Sequence, residues 1–263
     1  MELKVEYEDK VISFNVIRRK RKTTCIRIDA SGIITIIAPS KASEEYILDL
    51  VKSKVNWIIR KQDELKNIRN KKVNREIVQG GSFMYLGEEY PIHIILKDKL
   101  KKINVQLIDD VTSSCKVNKL LQKELDNNGL NGRGFIVYTN TLEAEEIKLA
   151  LEKWYRERTL QLVKNKINLY QIHFKDKVTE IKVKEQKRRW ASCTGKNAIL
   201  FNWRCSMARE DVLDYIVIHE MCHIDHKNHS KDFWNRVESI MPDYKEKHNW
   251  LKINGINMTL ENL

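Results

Sequence analysis

Residues 212–223 read VLDYIVIHEMCH. The run is apolar on nearly every side, as expected of a helix buried within a protein rather than one lying on its surface. Glu210 and Asp211 fall in its expected first turn, where negative charge suits the positive end of the helix dipole. Two imidazoles and a carboxylate in the middle of such a helix are costly to bury without partners. A metal ion removes that cost. At about 100° per residue, His219 and His223 lie one turn apart on one face, so two ring nitrogens can converge on a single ion. Glu220 is turned away by one residue, near that face but not on it. It can reach a water beside the metal without ligating the ion, which is the role of the carboxylate in an H-E-x-x-H helix.

A third ligand must come from beyond this helix, and two histidines are near. His226 would lie on the same face of a continuing helix, but about 10 Å along the axis from His219, too far for one ion to bridge. His229 is better placed if the helix ends near 226–228 and the chain turns back. Ser230 can then cap a following helix whose stripe is Phe233, Trp234, Val237 and Ile240. The spacing therefore favours His229. His93, His173 and His248 read as ordinary strand or surface residues, with His248 a remote spare ligand.

Upstream of this helix, strands are expected at 178–183 and 198–203, and the second could pair its edge with an extended peptide. A long helix is expected from about Leu142 to Ile167, capped by Thr141 and buried along Ile147, Ala150, Leu151, Trp154, Tyr155, Leu162 and Val163. Residues 109–134 are polar and read as a loop or insertion, with a short helix at Lys119–Leu125. Earlier still, Gly80-Gly81 restarts β structure at 83–86 and 90–96. Residues 43–65 carry apolar positions three and four apart and read as one long helix capped by Ser43. Ile12, Phe14 and Val16 alternate with polar neighbours, and 25–29 and 33–38 also read as strands. The expected fold class is α+β, in three parts: 1–108, β-rich with a long helix; 109–134, the polar insertion; and 135–263, the core with the chemistry.

Arg189-Trp190-Ala191-Ser192-Cys193, Asn202-Trp203-Arg204, the helix Asp214 to His223, Asn228-His229-Ser230 and Phe233-Trp234 form a series of motifs. Together they resemble the YgjP-like metallopeptidase family, a relative of the SprT-like and Spartan zincins. The resemblance implies a zincin-like catalytic domain, a Zn2+ ion held by His219, His223 and His229, and Glu220 as the catalytic residue, with a protein or peptide as substrate. Ala191 departs from the glycine usual in the family, and 109–134 looks longer than usual. The metzincins share the histidine spacing, but His226 stands where they need a glycine. Arg189 and Ser192 are candidate donors to a developing oxyanion, or structural braces.

Composition limits what else the chain can do. The formal net charge is +12 over 263 residues, with a cluster at Arg18-Arg19-Lys20-Arg21-Lys22 and another from Lys182 to Arg189. This leaves a nucleic-acid partner as the alternative reading, with the zinc centre acting on DNA-bound proteins or serving structure. A zinc hydrolase of non-peptide amides or esters is a third reading. Five scattered cysteines without a C-x-x-C pair give neither a disulfide framework nor a zinc finger. No apolar run approaches membrane-spanning length and the first ten residues are charged, so no membrane partner and a cytoplasmic location are expected.

Overall fold

The computed structural model describes residues 1–8, 10–109, 133–186 and 188–260. It is α+β, as expected, and falls into two compact units, Met1–Lys72 and Val73–Leu263.

The first unit begins with β1 (Glu2–Tyr7), β2 (Lys10–Arg19), β3 (Cys25–Ile28) and β4 (Ile34–Pro39), in the order β1-β2-β4-β3. Period-2 alternation makes the sheet one-sided: Ile12, Phe14, Val16, Ile34 and Ile36 are buried, while Val11 and Ile17 face outward. Against the buried face the same core gathers Ile47 and Val51 of α1 (Glu44–Ser53) with Val55 and Ile58 of α2 (Val55–Asn70). Ser43 caps α1 by accepting from the Tyr46 amide at 3.1 Å. The single long helix expected here is two helices. Lys54 leaves the helical region between them, with ψ near 7°, and the apolar spacing runs straight across the break, which hid it from a periodicity reading.

Among its described residues the second unit has two sheets. β5 (Ser82–Tyr85) and β6 (Glu88–Leu96) form a hairpin, with Leu86 and Gly87 both at positive φ in the tight turn between them. β7 (Asn104–Ile108) and β8 (Gly134–Thr139) complete that sheet in the order β5-β6-β8-β7, with β6 and β8 parallel. The compact units divide elsewhere than the three expected parts. Ile92 pairs with Phe135, so the strands before the polar insertion belong with the catalytic part and the boundary falls at Lys72/Val73. Residues 110–132, including the helix expected at Lys119–Leu125, lie outside the described residues.

α3 (Ala144–Tyr170) is the spine of this unit, buried along Ile147, Leu151, Tyr155, Thr159, Val163 and Ile167. Its polar members tie it to both neighbours: the Tyr155 hydroxyl donates to the Met84 carbonyl at 2.7 Å, and Thr159 Oγ1 donates to the Trp203 carbonyl at 2.6 Å. Buried Lys166 reaches Asp214 at 2.8 Å and Glu210 at 3.2 Å. Thr141 does not cap α3; it accepts from the Glu143 amide one residue short of the helix.

The remaining sheet, β9 (Glu180–Lys184), β10 (Ala191–Cys193) and β11 (Ala198–Asn202), has the order β10-β11-β9. Three helices follow: α4 (Glu210–Asp225), α5 (Lys231–Ile240) and α6 (Tyr244–Asn254). α4 is buried as its composition requires, with Val212, Leu213, Val217, Ile218, Met221 and Cys222 all inaccessible. No helix among the described residues is long and apolar enough to cross a membrane.

Candidate metal centre

α4 ends where His226 leaves the helical region, and the chain turns back through Asn228 to Ser230, which caps α5 by accepting from the Phe233 amide. That turn carries His229 to the two helix histidines. One ring nitrogen from each of His219, His223 and His229 lies within 4.8 Å of the others, and His219 Nε2 is 3.0 Å from His229 Nε2. Two ligands of one tetrahedral zinc, each 2.0–2.1 Å from it, stand about 3.3 Å apart. The cluster is therefore close to the spacing of a single ion.

The neighbours of the imidazoles fix which nitrogen is free. His223 Nδ1 lies 3.0 Å from the His226 carbonyl. A carbonyl only accepts, so the proton sits on Nδ1 and Nε2 keeps its lone pair. His226 thus contributes its backbone, not its ring. His219 Nδ1 is 3.4 Å from the Tyr215 hydroxyl, and the tautomer protonated at Nδ1 leaves Nε2 available in the same way. Aromatic rings from α5 wall the cluster. Phe233 stacks on His223 with centroids 4.5 Å apart, and Trp234 stacks on His229 at 5.7 Å.

Electrostatics agree with a cation at this point. Burial first, then the neighbouring histidines, push the pKa of His219 down to about 3, which keeps it in the neutral form that binds metals. Glu220 is buried at 6% exposure, and among the described residues its Oε2 has no hydrogen-bond partner. Burial pushes its pKa up to about 7, against the lowering effects of the Cys193 amide and of Arg189. A dication among the imidazoles would give this carboxylate a counter-charge and the three lone pairs a shared partner. The donor set fits a metal ion, and three neutral nitrogens with an open side suit zinc.

Two cavities meet at His219, Glu220 and Ala191. One, about 450 Å³, opens between Arg189, the strand Ser192–Cys193 and Lys227. The other, about 210 Å³, is walled by Trp190, Ile216 and Leu251, with Tyr215 and His248 at its polar margin. Gly255 lets the Trp190 ring lie this close to the backbone; a Cβ there would stand 2.7 Å from the ring. β10 runs between the cavities as the edge of its sheet. The bonds from the Asn202 amide to the Trp190 carbonyl and from the Thr194 amide to the Ala198 carbonyl set the ladder's parity. Ala191 and Cys193 therefore turn their backbone groups to the free edge. The strand expected to offer an edge, 198–203, cannot do so: β11 is paired on both sides, by β10 and β9.

Sequence spacing thus placed all three histidines and Glu220, but not their surroundings. Tyr215 was missed, although its place four residues before His219, on the same helix face, is a signal that could have found it. His248 was not, because α6 brings it from a distant part of the chain to line the smaller cavity, and it is not part of the histidine cluster. Arg189 lines the larger cavity with an exposed side chain, while Asn202 holds its loop by donating to the carbonyls of Gln186 and Arg189. Ser192 lines the same cavity.

A buried helix that presents two histidines and a carboxylate to a cleft, completed by a third histidine after a turn, is a site of the metallopeptidase class. The YgjP-like metallopeptidase domain model matches residues 22–254, and the chain belongs to that family. Two solved structures are similar to part of this chain, over nearly all of their own length. The metallopeptidase zymogen of Pyrococcus abyssi abylysin is 22% identical, covering 38% of this chain and 99% of that one, with a TM-score of 0.32. The metallopeptidase zymogen of Methanocaldococcus jannaschii jannalysin is 23% identical, covering 34% and 93%, with a TM-score of 0.30. No curated protein matches.

Proposed function

We propose that the chain is a zinc-dependent peptidase in which His219, His223 and His229 hold the ion and Glu220 is the general base. The observation that carries this reading is the unpartnered Glu220 Oε2, buried in the same cleft as the converging histidine nitrogens. When bound, zinc supplies a Lewis acid that acidifies a water and polarises a carbonyl oxygen. The chain's own residues do the rest. Glu220 Oε2, with no competing donor, accepts the proton of the attacking water and returns it to the leaving amine. The Cys193 amide holds the carboxylate from the β10 side. Phe233 and Trp234 lock the imidazoles in orientation and keep bulk water from their faces. The free edge of β10 offers backbone groups at Ala191 to an extended peptide, laying its carbonyl against the reacting groups.

The test is zinc content together with peptide cleavage. Wild type should hold one equivalent of zinc and cut peptides. Glu220→Gln should keep the zinc and lose at least about a hundredfold in kcat, within the range for a removed general base. Wild type without zinc, or Glu220→Gln as active as wild type, would overturn the reading.

A further inference from the structure

The two cavities that meet at Glu220 differ in chemistry. The larger is bounded by two exposed cations, Arg189 and Lys227. Among the described residues neither forms an ion pair with a carboxylate; Lys227 donates only to the neutral Asn197 amide oxygen, at 2.8 Å. Among the described residues Glu220 is the sole acidic one lining this cavity, and it is committed to the reacting centre. The smaller cavity takes its walls from Trp190, Ile216 and Leu251, and among the described residues no Lys, Arg or Asp lines it. The order of these subsites along a bound peptide follows from β10. The strand starts at Ala191, which lines both cavities, with Trp190 just before it in the apolar one; Ser192 and Cys193 continue it along the cationic one, which Arg189 also reaches from the loop before the strand. A peptide pairing antiparallel to β10 runs the other way, from the cationic cavity to the apolar one.

We infer that this peptidase selects acidic peptides, with a carboxylate side chain on the N-terminal side of the cut bond held by Arg189 and Lys227, and an apolar side chain on the C-terminal side seated between Trp190, Ile216 and Leu251. The inference rests on the peptidase reading and deepens it. Opposite charge in a partly enclosed cleft discriminates between substrates chiefly through the penalty on like charge, so basic peptides are disfavoured more strongly than acidic ones are favoured. Arg189 is held for this task by its loop, whose carbonyl groups Asn202 clamps. Lys227 is held at the opposite rim by Asn197, which occupies the positive-φ position of the β10–β11 turn.

Two measurements test it. The first is mass-spectrometric profiling of the bonds cut by the zinc-loaded protein in a mixture of peptides. Enrichment of Glu or Asp before the cut and of Leu, Met or Phe directly after it is expected. The second is fluorescence anisotropy of labelled peptides on zinc-loaded Glu220→Gln, with Glu, Gln or Lys at the N-terminal-side position. The Glu peptide should bind about tenfold more tightly than the Lys peptide, and the doubly reversed Arg189→Glu, Lys227→Glu variant should bring that ratio to one or below. Both side chains are exposed, so the reversal should leave folding intact. Equal binding of the three peptides, a ratio unmoved by the reversal, or the reverse order of acidic and apolar residues around the cut would overturn the inference. So would a single-stranded oligonucleotide that displaces the Glu peptide and binds the site more tightly, since the cations would then serve nucleic acid. If the binding preference holds but wild type cuts no peptide, the peptidase reading fails and the acidic-peptide site stands.

Discussion

His226 and His229 stand three residues apart, yet the structure gives them different work. The helix stops at His226, whose carbonyl accepts a hydrogen bond from His223 Nδ1, and only after the turn does His229 bring its ring to the cluster. His229→Ala should therefore abolish stoichiometric zinc, whereas His226→Ala keeps it, because the alanine carries the same carbonyl; metal analysis after dialysis distinguishes them. Tyr215→Phe removes the partner of His219 Nδ1 and should weaken zinc binding about tenfold, the lower end for lost support behind a ligand, in a competition titration with a chelator. Unchanged affinity would mean that the 3.4 Å contact does not orient the ring.

At the scale of elements, α5 walls the histidine cluster. Phe233 is fully buried and stacks on His223, so Phe233→Ala should cost about 3–5 kcal/mol in urea unfolding and also loosen the imidazoles. The β5–β6 hairpin is secured differently. Arg75, its side chain inaccessible, makes a two-pronged contact with Glu89 and also donates to the Asn257 carbonyl. Burial tends to raise the pKa of Glu89, but the bonds from Arg75 and Ser82 outweigh it and the net shift is downward. A carboxylate with a lowered folded pKa contributes stability that is fully present above its unfolded value, 4.5, and is lost as the pH falls below it. Glu89→Gln should cost about 1 kcal/mol at pH 7, a figure kept small because Glu89 is half-exposed. The variant and wild type should then converge in stability as the pH drops below that value, which melts across a pH series would reveal.

For the whole molecule, two compact units, each with its own large core, predict two unfolding events. One core gathers Phe14, Ile36, Val51 and Ile58 within residues 1–72, and the other surrounds α3 and α4 within 73–263. Calorimetry should resolve two transitions, and zinc should raise only that of the second unit. At a free-ion concentration about a hundred times Kd the gain is about 2.7 kcal/mol. Zinc raising both transitions equally would show that the units unfold together.

The sequence by itself determined the helix at 210–225, its burial, the convergence of His219 and His223, the capped return that presents His229, and the one-sided strands of the first unit. All of these depend on neighbours a few residues apart, where helical and strand periods fix geometry directly. Tertiary structure alone decided the rest. It split the helix at Lys54, joined β6 to β8 across the insertion and made β10 rather than β11 the free edge. It also brought Trp190, Leu251 and His248 around Glu220. Strand pairing and cavity walls are set by which distant segments bury one another's apolar faces and satisfy one another's backbone groups. That choice belongs to the packed chain as a whole and leaves no periodic mark on any one stretch of it.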